Sequence, residues 1–276
     1  MKPINERELR KIAHRLRLEV LEMVMAAKTG HIGGDFSCMD ILVCLYCAIL
    51  DIQKIQEHSP DRDRFLMSKG HSAESLYAVL AETGILRREA LADYARFGTA
   101  LAGHPTKGVP GVEFATGALG HGLPVGVGMA IALKNAGSPA HVYVLMGDGE
   151  QAEGSVWEAA MAASKFKLDN LTAIVDRNRL QISGGTEEVL PLGDLAAKYR
   201  QFGFDAIACD GHNPAELAEA LTHRAEGLPV AVIANTVKGF GSSVLENKAS
   251  SHHHVPNGEQ YELIRADLTK RLEELG

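Results

Sequence analysis

Positive charge is in deficit: 28 Lys and Arg face 35 Asp and Glu over 276 residues, a formal net charge of −7. Without a basic surface, counterion release has little to drive polyanion binding, which argues against a nucleic-acid partner. A long apolar run is also missing. The longest, residues 41–50, has ten residues, whereas roughly 20 are needed to cross a bilayer. Residues 1–17 are dense in Lys, Arg and Glu and lack the apolar stretch of a secretory signal. Both features argue against a membrane and predict a cytoplasmic protein. Cysteines number four: Cys38, Cys44, Cys47 and Cys209. Cys44 and Cys47 form a C-x-x-C inside an apolar helical stretch, with no polar turn and no second ligand pair. Buried packing is therefore expected there, not redox or zinc chemistry. No repeat, low-complexity tract or Pro/Ser linker divides the chain, so residues 1–276 read as a single domain.

Hydrophobic residues make up 46% and charged residues 23%, the balance of a globular enzyme, and glycine is abundant at 28. Leu9, Ile12, Leu16, Val20, Met23 and Ala27 step by three or four, one face of a helix, with Gly30 as its expected stop. Ser37 and Asp40 suggest a capping box for a second helix over residues 41–50. That helix is apolar on every side, so it is expected to be fully buried or at a subunit interface. Four runs rich in β-branched and apolar residues follow: 141–146, 171–175, 205–209 and 230–234. Helix-compatible segments 153–166, 194–202 and 214–225 separate them. This alternation predicts an α/β fold of three layers, a mainly parallel sheet flanked by helices. Ligands of such sheets bind beyond the carboxyl ends of the strands.

The first of these strands ends in Gly147-Asp148-Gly149 and the next in Asp176-Arg177-Asn178-Arg179-Leu180. Neighbouring parallel strands would put Asp148 and Asn178 on one rim. A carboxylate, an amide oxygen and a backbone carbonyl make a hard oxygen site for a small divalent cation, completed by phosphate oxygens and water. Gly147 and Gly149 allow close approach of a bulky anion. A helix N-terminus after Glu150 adds only ~0.3–1 kcal/mol for an anion, so a metal is needed to hold a diphosphate. G-D-G alone is a common turn; Asn178 one strand later favours the ligand reading.

Gly147-Asp148-Gly149, followed thirty residues later by Asn178, resembles the metal–diphosphate motif of thiamine-diphosphate enzymes. The resemblance to transketolases runs through nearly the whole chain. Thr29-Gly30-His31-Ile32-Gly33-Gly34, Ser68-Lys69-Gly70-His71 and Gly103-His104-Pro105 resemble their three histidine loops. Thr116-Gly117-Ala118-Leu119-Gly120-His121-Gly122 resembles the glycine-rich turn that follows. The resemblance implies the thiamine-diphosphate-binding fold of the diphosphate-binding (PP-type) domain. It implies that thiamine diphosphate is bound by His71, Gly117, Leu119, Gly147, Asp148, Gly149, Glu150 and Asn178. Mg²⁺ would be held by Asp148, Asn178 and the carbonyl of Leu180, with Ca²⁺ or Mn²⁺ as substitutes. His31 and His104 would meet the sugar, and Glu153 would link across an interface to the glutamate that activates the cofactor. Of Ser251-His252-His253-His254, either His252 or His253 would face the substrate. His14, His58, His141, His212 and His223 are read as structural or surface residues. Two positions depart from the family pattern: His121 stands where Gln is frequent, and Arg177 replaces an acidic or amide residue and is expected to face solvent.

The pyrimidine-binding domain of transketolases, with its activating glutamate, has no counterpart in the chain. The resemblance therefore implies a split enzyme in which a separate C-terminal subunit completes the active site, as a heterotetramer of two copies of each. It would move a two-carbon ketol unit from a ketose to an aldose, with xylulose phosphate, apulose phosphate and sulfonated ketoses all open as donors. A 2-oxoacid dehydrogenase or deoxyxylulose-phosphate synthase relative fits the His31, His71 and His104 array less well. An NAD-binding enzyme lacks its G-x-G-x-x-G after a first strand. A non-catalytic subunit of the same fold would not need these ligands and histidines.

Overall fold

A computed structural model describes residues 5–276; residues 1–4, the head of the charged N-terminal stretch, lie outside the described residues. In chain order the main elements are helix α1 (Glu6–Ala27), α2 (Ile32–Cys44), strand β1 (Arg64–Met67), α3 (Ala73–Glu82), α4 (Gly122–Asn135) and β2 (Val142–Gly147). They continue as α5 (Gly154–Lys165), β3 (Leu171–Arg177), α6 (Leu195–Gln201), β4 (Asp205–Asp210), α7 (Pro214–Thr222), β5 (Val230–Asn235) and α8 (Gly258–Glu274).

The five strands form one sheet in the order β1-β2-β3-β5-β4, with every pairing parallel. Successive strand side chains alternate between faces. Val142, Val144 and Met146 pack beneath α4, α5 and α6, while Tyr143 and Leu145 join α1, α2, α3, α7 and α8 on the other side. The result is the expected three-layer α/β architecture. All four expected strands form. The fifth, β1, is not legible in the sequence: four residues, led by Arg64 and followed by Ser68-Lys69, carry too little pattern to stand out.

Three local expectations are corrected. Helix α1 stops at Ala27 with Lys28 in the left-handed conformation, not at Gly30. Ser37 and Asp40 cap nothing, because α2 already starts at Ile32 with His31 as its first cap residue. The apolar run 41–50 is the end of a longer helix that continues as a π-helical turn, Leu45–Ile49. By length and composition this 18-residue helix is apolar enough for a membrane span, yet 83% of it is buried inside the protein, as a core helix is. One of its buried acids is paired internally: Asp40 meets buried Arg17 and accepts from His212 Nδ1 at 2.7 Å. Burial pushes the thiol of Cys44 up to about 12, in keeping with packing rather than reactivity.

Candidate functional site

The carboxyl ends of β1, β2 and β3 open onto a cavity of ≈ 450 Å³. Gly147 is in register with Asp176, so the chain leaves both strands on one rim. Asp148, Asn178 and Leu180 all line the cavity. Asp148 Oδ1 accepts from the Gly149 N–H at 2.8 Å, and Oδ2 accepts from the Arg179 N–H at 2.5 Å and from Arg177 Nη1 at 3.1 Å. Burial, with the charge of Asp176, pushes this carboxyl up, and the Arg179 and Arg177 donors only partly offset it. Asn178 Oδ1 accepts from the Leu180 N–H at 3.1 Å, while its amide donates to Asp176 Oδ2 and Ser37 Oγ. The Leu180 carbonyl accepts from Lys238 Nζ at 3.2 Å.

Each of these three donor oxygens keeps acceptor capacity, and all are hard ligands. Among the described residues, no group of three or more His, Cys, Asp or Glu side chains could hold a metal ion. The rim thus offers a partial oxygen set of the kind that an incoming phosphate would complete. The expectation that Arg177 faces solvent is overturned. It is 4% exposed, and its fork spans Asp148, Thr186 and Glu187.

Lys69 and Lys238 are two functional-site residues that sequence reasoning misses. Lys69 is buried and donates to Asp176 Oδ2 at 2.5 Å and to the Gly34 carbonyl at 3.0 Å. Burial alone would raise the carboxyl of Asp176, but Lys69, Ser37 and Thr236 bring it below its ordinary range. Lys238 is pushed down to about 8 by burial and by the charge of Lys69. Lys69 lies inside the Ser68-Lys69-Gly70-His71 loop, and both lysines stand directly before a glycine, in Lys69-Gly70 and Lys238-Gly239; those are the signals the sequence carries.

Four histidines line the cavity: His31, His71, His104 and His252. His31 is central, with ring centroids of His71, His104 and His252 at 5.6, 5.8 and 5.7 Å. Burial pushes His31 down to about 4 and His252 to about 3, and lowers His71 and His104. Neutral imidazoles present both a donor and an acceptor, suited to sugar hydroxyls and proton transfer. His31 Nδ1 is buried with no hydrogen-bond partner among the described residues. Of the two residues left open, His252 lines the cavity and bonds Lys238 Nζ at 2.9 Å. His253 packs on the outer side of His31 and is exposed.

Gly117, Leu119, Gly147, Gly149, Glu150 and Glu153 also line the cavity. Glu150, however, is spent on the chain. It accepts from the Ser68 hydroxyl, from the Gly120 N–H at 2.8 Å and from the Gly147 N–H at 3.0 Å. It braces the loops that form the cradle. Glu153 is exposed at the rim. His121 is exposed beside Leu119. Away from the cavity, His141 bonds Thr172, His212 stacks on Phe240 with centroids 3.6 Å apart, and His223 bonds Asp205.

Residues 9–269 match the family model described as transketolase, thiamine diphosphate binding domain. The chain belongs to the transketolase family. It is 47% identical over 261 residues to one of the subunits of the apulose-4-phosphate transketolase of Phocaeicola vulgatus, covering 94% of this chain and 93% of that one. It is 38% identical over 266 residues to 6-deoxy-6-sulfo-D-fructose transketolase subunit SqwG of a Clostridium species, covering 95% and 97%. The solved transketolase of Leishmania mexicana superposes with a TM-score of 0.86 at 27% identity, over 97% of this chain but 45% of that one. This transketolase chain therefore spans about the full length of the two relatives that are named as subunits, and less than half of the solved transketolase. Its fold is the thiamine-diphosphate-binding fold.

Proposed function

We propose that this chain is the diphosphate-binding subunit of a split transketolase, a transferase that moves a two-carbon ketol unit from a ketose to an aldose. The observation that carries this reading is the shared rim: Asp148, Asn178 and Leu180 meet His31, His71, His104 and His252 in one cavity. Bound there, thiamine diphosphate would supply the nucleophilic carbon and the electron sink of the transfer. His71, Lys238 and the Gly117 N–H would hold its diphosphate. Asp148, Asn178 and the Leu180 carbonyl would hold Mg²⁺, for which Ca²⁺ or Mn²⁺ could substitute. His31, His104 and His252, neutral at pH 7, would orient the sugar's hydroxyls and pass protons to them. Glu153, at the rim, would reach the partner's side of the site.

The partner is a C-terminal, pyrimidine-binding subunit, two copies of each forming a heterotetramer in the cytoplasm. The relatives named as transketolase subunits support the split arrangement, and their names favour a phosphorylated or sulfonated ketose as donor. The test is reconstitution with the cognate second subunit. Ketol transfer is expected only in the mixture, and Asp148→Ala should abolish metal-dependent cofactor binding. Turnover by the isolated chain, or unchanged cofactor affinity in the variant, would reject the reading.

A further inference from the structure

Beneath His31 lie two acids that the proposed function does not use. Asp35 on α2 and Glu74 at the start of α3 are both wholly buried. Asp35 Oδ1 accepts from the Ser75 N–H at 2.9 Å. Glu74 Oε1 accepts from the His31 N–H at 3.1 Å and from the Tyr94 hydroxyl at 2.6 Å. The second oxygens, Asp35 Oδ2 and Glu74 Oε2, are buried and have no hydrogen-bond partner among the described residues. The two carboxyls are neighbours: Asp35 bonds the N–H of the residue next to Glu74, and it feels the charge of Glu74.

Two ionised carboxylates are acceptors only and repel each other; one proton held by the pair turns a carboxyl oxygen into a donor and removes one buried charge. Among the described residues, no Lys, Arg or His forms an ion pair with either carboxyl. Lys69, the cation whose charge Asp35 feels, is committed to Asp176 and the Gly34 carbonyl. Other titratable groups beside the pair include the His31 imidazole, which burial lowers and so leaves neutral, the hydroxyls of Tyr77 and Tyr94 and the thiol of Cys38. Burial raises the two hydroxyls and the thiol, which leaves them uncharged near neutrality. Burial also raises both carboxyls, and the charge of Glu74 raises Asp35 further. Gly30 closes the arrangement, since a Cβ there would stand 2.6 Å from Glu74 Oε1.

We propose that Asp35 and Glu74 share one proton at neutral pH and act as a positioning pair that fixes the main chain of His31 at the sugar-facing side of the cavity. The pair touches neither sugar nor cofactor. It acts through the residue that opens α2, whose imidazole the proposed function sets against the substrate, so this inference rests on that reading.

The test is made on the assembled two-subunit enzyme. Infrared difference spectra of wild type against Asp35→Asn, and against Glu74→Gln, are expected to show loss of a protonated-carboxyl C=O band near neutral pH. Identical spectra would overturn the shared proton. Kinetically, Glu74→Ala is expected to raise the ketose KM about tenfold with thiamine-diphosphate affinity unchanged, and Glu74→Gln to recover most of that loss. An alanine variant with wild-type KM, or a glutamine variant as impaired as the alanine one, would overturn the positioning role. Should Glu74→Ala not fold, the infrared comparison and the glutamine variant decide. His31→Ala with an unchanged ketose KM would reject the sugar-facing reading of His31 and leave the infrared result to judge the pair.

Discussion

Arg177 Nη1 stands 3.1 Å from Asp148 Oδ2, and both side chains are buried, at 5% and 2% exposure. The same guanidinium bonds Thr186 Oγ1 and Glu187 Oε1, each at 2.6 Å. One fork thereby ties the rim acid to the short helix Thr186–Val189 that follows β3.

Removing one member of a buried pair leaves the other charge uncompensated. Arg177→Met is therefore expected to lower unfolding stability by about 3 kcal/mol, read from the urea midpoint. Arg177→Lys should recover less than half of it, because a single ammonium does not span three separated acceptors. A lysine variant with the wild-type midpoint would show that the fork geometry is unimportant.

The Lys69–Asp176 pair is more enclosed, with side chains 1% and 0% exposed. Lys69→Met is expected to cost about 3–5 kcal/mol, since Asp176 keeps its charge with only neutral donors from Ser37, Thr236 and Asn178. The variant should also be markedly more acid-tolerant relative to its own neutral-pH stability. Without the lysine, burial is opposed only by neutral donors such as the Ser37 and Thr236 hydroxyls, so the acid moves up and the stability lost on acidification shrinks. Thermal midpoints from pH 7 to pH 4 check both statements.

Two glycines should respond in opposite directions. A Cβ on Gly70 would lie 2.8 Å from the Gly117 N and 2.9 Å from the Thr116 carbonyl carbon, both backbone atoms. Gly70→Ala must displace the turn proposed to meet the diphosphate, so thiamine-diphosphate affinity in the assembled enzyme should fall about tenfold or more. Gly128 in α4 is exposed, and a Cβ there meets nothing within 4 Å. Gly128→Ala should stabilise the subunit by up to about 1 kcal/mol. Equal cofactor titrations for wild type and Gly70→Ala would contradict the close-approach argument.

Acid should weaken the fold through the buried imidazoles. His14 and His31 sit at about 4, and His141 and His252 at about 3, against an ordinary 6.5. As pH falls below 6.5 the unfolded chain takes up these protons first. Stability therefore drops progressively from 6.5 down through the native values. His141→Gln, remote from the cavity, should flatten the slope of the thermal midpoint between pH 6.5 and pH 4 without changing the histidine loops. An unchanged slope would remove His141 from the account.

Strand–helix alternation, the four strands from residue 141 onward and the order of the glycine and histidine loops are all legible in the sequence. Such signals are local: periodicity and turn chemistry need only a few neighbouring residues. The start of α2 is not, because Ser37 and Asp40 look like caps when considered alone. Only the fold shows that they serve Asp176 and Arg17 instead.

What the sequence by itself determined is the class of fold and the residues that reach the strand tips, because hydrophobic period and loop motifs dictate both. The tertiary structure alone decided the electrostatics: that Arg177 turns inward to Asp148, that Lys69 answers Asp176 from 107 positions away, and that Glu74 supports His31. A buried charge must find its counterpart among whatever the packed strands and helices bring beside it. That choice of neighbour is a property of the assembled layers, written in no single stretch of chain.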